Sequence, residues 1–69
     1  HADAVKNYQE ALALRPTEGK WWLGLGISLE ATKNVSSARD AYRRALESGR
    51  LTASLSRYAE DRLRALAAR

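Results

Sequence analysis

Apolar residues recur at helical spacing in four segments of the chain. Between Ala2 and Leu14, the residues Ala4, Tyr8, Ala11 and Leu12 fall at i, i+4, i+7 and i+8, which is one face of a helix. A second helix is predicted after Thr17, a suitable N-cap followed by Glu18 where the helix dipole favours an acid, and it ends near Thr32. A third runs from Val35 to Ser48, with Gly49 suited to the left-handed residue that closes many helices. A fourth starts after Thr52, another capping residue, and continues to Ala67. Pro16, Asn34 and Gly49 punctuate the series. Strand formers are scarce: there is no Phe, and Val and Ile are few. The pattern predicts an all-α chain of four helices.

The first and third segments coincide when shifted by 34 residues: Ala4, Tyr8, Ala11 and Leu12 fall on Ala38, Tyr42, Ala45 and Leu46. These are the positions that would pack. The second helix is different, because "KWWLGLGISLEA" (Lys20 to Ala31) is apolar on nearly every side and holds two glycines. At 100° per residue, Trp22, Gly26 and Leu29 face the third helix, while Trp21, Leu25 and Ser28 face the first. Lys20, Leu23, Ile27 and Ala31 make a third side. A helix apolar all round is normally enclosed. Leu23 and Ile27 are therefore either covered by the fourth helix or line a groove for a peptide. Trp21 has two readings too, packing against the first helix or serving as an aromatic anchor for a partner.

Trp22, Leu25, Gly26 and Leu29, followed by Ala38, Tyr42 and Ala45, fit W-x-x-L-G-x-x-[apolar] and its continuation in a second helix. This resembles the tetratricopeptide repeat, a helix–turn–helix unit of 34 residues. The resemblance implies a solenoid fragment. Residues 1–16 would be the second helix of one repeat, 19–52 a full repeat, and 53–67 a terminal capping helix, in a piece of a longer protein. It also implies that Gly26 admits the neighbouring helix and that Trp22 fills the space between them. Leu29 and Val35 stand where aromatics are usual, and Arg50 replaces a terminating proline. The family's concave surface falls on the third side of the second helix, so Lys20, Leu23, Ile27, Glu30 and Ala31 form the expected partner groove. The first helix would be left half covered. Either upstream repeats belong there or two chains cover each other's open ends as a homodimer.

In the fourth segment Leu55, Tyr58, Ala59, Leu63 and Leu66 form an apolar stripe, opposite Arg57, Glu60, Asp61 and Arg64. Arg57–Asp61 and Glu60–Arg64 are expected i,i+4 pairs. With 12 basic and 8 acidic residues the net charge is +4. This raises a second functional class, a nucleic-acid-binding module using Arg39, Arg43 and Arg44 on the third helix with Arg57, Arg62 and Arg64 on the fourth. Interspersed Asp40, Glu47, Glu60 and Asp61, and no interleaved aromatic, count against it.

Catalytic chemistry is not legible. The single histidine is His1, which reads as a terminal remnant, and there is no cysteine. No nucleophile–base pair, metal-ligand cluster, dinucleotide loop or phosphate loop is recognisable, so no catalytic residue, metal or cofactor is expected. A small-molecule substrate and membrane contact by this segment are not expected either. "GLGISLEATKN", "AYRRALESGRL" and "RYAEDRLRAL" together look like the C-terminal repeat region of MshN-like proteins, which serve biogenesis of mannose-sensitive haemagglutinin-type pili. That resemblance implies the soluble part of an inner-membrane-anchored scaffold in the bacterial cell envelope, with other pilus-assembly proteins as partners. The expectation is a non-catalytic protein-interaction scaffold.

Overall fold

A computed structural model describes residues 2–68 of the chain; His1, read above as a terminal remnant, lies outside them. Helix α1 spans Ala2–Leu14, α2 Gly19–Ala31, α3 Val35–Glu47 and α4 Ala53–Ala67. Alanine, leucine, arginine and glutamate, all strong helix formers, dominate three of these. Helix α2 contains two internal glycines and holds through burial of its sides. Each helix packs on the next, α2 on α3 most extensively, in an arrangement of 32 × 25 × 15 Å. The chain is an all-α helical-repeat fragment.

The turns follow from local chemistry. After α2, the Asn34 amide donates to the Leu29 carbonyl (2.8 Å) and the Lys33 amide to Glu30 (3.0 Å), a Schellman closure. Lys33 takes φ 65° there, the one left-handed non-glycine among the described residues. After α3, Gly49 fills the corresponding place at φ 68°, as its position predicts. Thr52 caps α4 by accepting from the Leu55 amide at 3.3 Å. Thr17 does not cap α2. The Glu18 amide turns back to Arg15 and the Glu18 carbonyl accepts from Trp21 and Trp22, so Glu18 occupies the cap position without a side-chain bond.

The core runs along the helix interfaces. Ala38, Tyr42, Ala45 and Ala59 have no exposed surface, and Leu25 and Leu66 are nearly enclosed. Burying a leucine contributes about 1.5–3 kcal/mol, whereas the alanines act mainly by setting how closely helices approach. Glycines in α2 complete that fit. A Cβ on Gly26 would stand 2.9 Å from Tyr42 Cδ1 and Cε1, and a Cβ on Gly24 would overlap the tip of Tyr8, with Oη at 2.5 Å. Gly24 is thus explained by Tyr8 of α1, which rests on it.

On α4 the expected i,i+4 ion pairs give way to a different one. Arg64 reaches Asp61 at i,i+3, which leaves neither carboxylate pairing as expected. The outer face of α4 is polar and exposed at Arg57, Glu60, Asp61 and Arg64.

Candidate protein-binding groove

Helices α2 and α4 border an open hollow of about 360 Å³, lined by Ile27, Glu30 and Ala31 from one side and Tyr58 and Arg62 from the other. Spacing explains the lining. Ile27, Glu30 and Ala31 are i, i+3 and i+4 on α2, and Tyr58 and Arg62 are i and i+4 on α4. Ile27 is 40% exposed and Tyr58 41%, so two large apolar side chains stand open beside each other's helix.

One carboxylate organises the wall of this hollow. Glu30 Oε1 accepts from the Tyr42 hydroxyl (2.9 Å) and from Arg62 Nε (3.0 Å), and Glu30 Oε2 accepts from the second arm of the Arg62 guanidinium. The pairing with Arg62 is bidentate and half-sheltered, conditions under which ion pairs are geometrically specific. Burial, reinforced by Glu30, pushes the Tyr42 hydroxyl well above the usual phenol range, so it stays a proton donor. Its ring meets Tyr58 edge-to-face, with centroids 6.3 Å apart and planes at 66°. Helices α2, α3 and α4 therefore converge on Glu30.

Among the five groove residues expected from sequence, Ile27, Glu30 and Ala31 line the hollow. Lys20 is exposed on the same stripe of α2 but outside the lining. Leu23 is only 5% exposed and belongs to the core, so it supports the groove without offering surface to a ligand. The cause is rotational: Leu23 lies about 40° from Ile27, turned inward. Glu30 is no ordinary solvent-facing acid, since it is paired across to α4. Sequence reasoning missed Tyr58 and Arg62 as groove residues. Their signal was the apolar stripe of α4 carrying an arginine in register with the lone acid of α2.

Trp21 is half-buried and packs against the core beside α1, lining a second hollow with Ala4, Asn7, Tyr8 and Ala11. Trp22 is tied down twice. Its indole N–H donates to the Pro16 carbonyl (2.7 Å), and the Arg44 guanidinium stacks 5.2 Å from its ring centroid. The arginines do not form one free stripe. Arg43 pairs with Asp40, Arg62 with Glu30 and Arg64 with Asp61, while Arg39 is half-buried.

The family model described as tetratricopeptide repeat matches residues 1–53. The chain belongs to the tetratricopeptide repeat family. Tetratricopeptide repeats generally mediate protein–protein interactions, and the family is typically a non-catalytic scaffold. Of the residues that carry the repeat pattern, Gly26 is seated against Tyr42 where α2 meets α3, Leu25, Ala38, Tyr42 and Ala45 belong to the buried core, and Trp22 packs against it. Comparison with curated proteins and with solved structures returned no match. No helix among the described residues is long and apolar enough to cross a membrane.

Proposed function

We propose that this chain is a non-catalytic scaffold that takes a protein segment in the α2–α4 groove. The observation that supports it is the juxtaposition of open Ile27 and Tyr58 beside the fixed Glu30–Arg62 pair. In this reading Ile27 and Tyr58 give affinity, Glu30 and Arg62 fix orientation, Ala31 leaves room for the ligand backbone, and Lys20 steers from the edge. Residues 1–16 act as a half repeat, 19–52 as a complete repeat and 53–67 as a cap whose polar face ends the stack. The tail resemblance supports a place in pilus biogenesis of the mannose-sensitive haemagglutinin type, with partners among pilus-assembly proteins. Calorimetric titration with purified soluble domains of such proteins tests this. The double variant Ile27→Ala/Tyr58→Ala should keep its helicity and lose binding; undiminished binding would remove the groove assignment.

Nucleic acid is the competing ligand class. Of the six arginines of α3 and α4, three are engaged in ion pairs, Arg44 lies over Trp22 and Arg39 is half-buried, so they do not form one continuous basic face. The scaffold reading expects no binding of single- or double-stranded DNA even at low salt; salt-dependent binding would favour the alternative.

A further inference from the structure

The groove wall rests on a residue that does not line it. Tyr42 of α3 has no exposed surface, and its ring lies against Gly26 of α2. Phenylalanine would meet that packing need equally well. The hydroxyl is a further element, and a buried hydroxyl requires a partner. It donates to Glu30 Oε1 at 2.9 Å. The same oxygen accepts from Arg62 Nε at 3.0 Å, while Oε2 accepts from the other arm of that guanidinium. The Tyr42 ring also meets Tyr58 edge-to-face. Both α4 residues that line the groove, Tyr58 and Arg62, therefore rest on Tyr42, one through its ring and the other through Glu30.

Side-chain freedom sets the direction of this dependence. Glutamate and arginine are among the side chains that lose most rotamer freedom when ordered, whereas an enclosed tyrosine is already fixed by the core. A bidentate fork aligns the carboxylate and guanidinium with each other, yet leaves the pair able to swing together. The bond from Tyr42 ties that pair to the core. We propose that Tyr42 is a positioning residue of the groove: its hydroxyl holds Glu30, and through it the Arg62 guanidinium, where a bound segment meets them, without touching that segment. This rests on the reading of the α2–α4 hollow as the site of a protein segment.

Helix α3 supplies no residue to the lining, yet it sets the alignment of the wall. A wall ordered before binding spares the ligand the cost of ordering it. Tyr42→Phe removes the donor alone: the ring keeps its place against Gly26 and Tyr58, and Glu30 keeps Arg62. The variant therefore separates alignment of the groove from packing of the helices.

The first measurement needs no ligand. Side-chain nitrogen–proton spectra of the intact chain follow exchange of the Arg62 Nε–H with water. In the parent it should exchange about tenfold more slowly than the Nε–H of exposed Arg57. Tyr42→Phe should remove most of that protection while the backbone amide shifts of α2 and α3 keep the parent pattern. Leu12→Val, a buried change on α1 that also lowers stability, should leave Arg62 protected. Equal protection in Tyr42→Phe, or equal loss in Leu12→Val, would overturn the proposal. The second measurement repeats the calorimetric titration with purified soluble pilus-assembly domains, in which Tyr42→Phe should bind about fivefold more weakly. Unchanged affinity with a loosened Arg62 would confine Tyr42 to the fold and overturn its part in recognition. A parent chain that does not bind, with Arg62 loosened in the variant, would instead remove the groove reading and leave the dependence of the wall on Tyr42 standing.

Discussion

The two central glycines of α2 should respond to alanine in the order opposite to the one their distances suggest. At Gly26 the new methyl would meet Tyr42 at 2.9 Å through Cδ1 and Cε1, with Cγ at 3.2 Å. Those atoms are the root of a ring with no exposed surface, held at its far end by Glu30. The ring has nowhere to go, so α2 and α3 must separate by several tenths of an ångström. Overpacking of this kind costs about 1–3 kcal/mol, against a gain near 1 kcal/mol from replacing a helical glycine by alanine. The net expectation for Gly26→Ala is a loss of about 1 kcal/mol, equivalent to a fall in Tm of about 4–8 °C for a domain of this size. At Gly24 the overlap is closer, but it falls on the Tyr8 hydroxyl and ring tip, and Tyr8 is only half-buried beside an open hollow. Tyr8 can swing outward, so Gly24→Ala should lie within about 0.5 kcal/mol of the parent once the helix gain is included. Urea unfolding followed by far-ultraviolet circular dichroism measures both variants. A Gly26→Ala chain as stable as the parent, or a Gly24→Ala chain weaker than Gly26→Ala, would refute the argument that ring freedom decides the sign.

Two further outcomes follow from the same contacts. Because Tyr42 is held protonated in the fold above its ordinary value of 10.0, the unfolded chain loses that proton first. Stability should therefore be unaffected by this group below about pH 10 and decline above it; Tyr42→Phe should flatten the alkaline limb of a urea-midpoint titration. At the helix starts, Thr52→Ala should cost about 0.5–1 kcal/mol in urea unfolding through loss of the bond from the Leu55 amide, whereas Thr17→Ala should change nothing measurable, since Thr17 makes no cap.

The architecture was legible because its rules are local. The shift of 34 that overlays Tyr8 on Tyr42 also assigns their helices, and Gly49 and Thr52 mark an end and a start that the backbone obeys. The groove was legible only in part. On a helix apolar around its whole girth, the sequence does not tell which flank the next-but-one helix covers, and an inward turn of about 40° separates buried Leu23 from open Ile27. No local spacing rule pairs Glu30 with its partner, Arg62, which lies 32 residues away. Local pairing rules failed on α4 for a smaller reason: Asp61 lies within reach of Arg64 one turn away, and that contact won over the i,i+4 alternatives. Lys33 gave no signal at all, since only the closing bonds of α2 require its left-handed backbone.

The carboxylate of Glu30 bonds to groups on two other helices, and one of those bonds also forms a groove wall. In the proposed function, recognition and architecture draw on the same atoms. A ligand that captures Arg62 with its own acid must first detach it from Glu30, loosening α4 and leaving the Tyr42 hydroxyl with a half-satisfied acceptor. A ligand that contacts Ile27 and Tyr58 while leaving the pair intact meets no such penalty. On the proposed reading, the groove would filter its ligands by thermodynamic linkage: uncharged or apolar segments would bind with the Glu30–Arg62 pair intact, and acidic ones would also have to work against the fold.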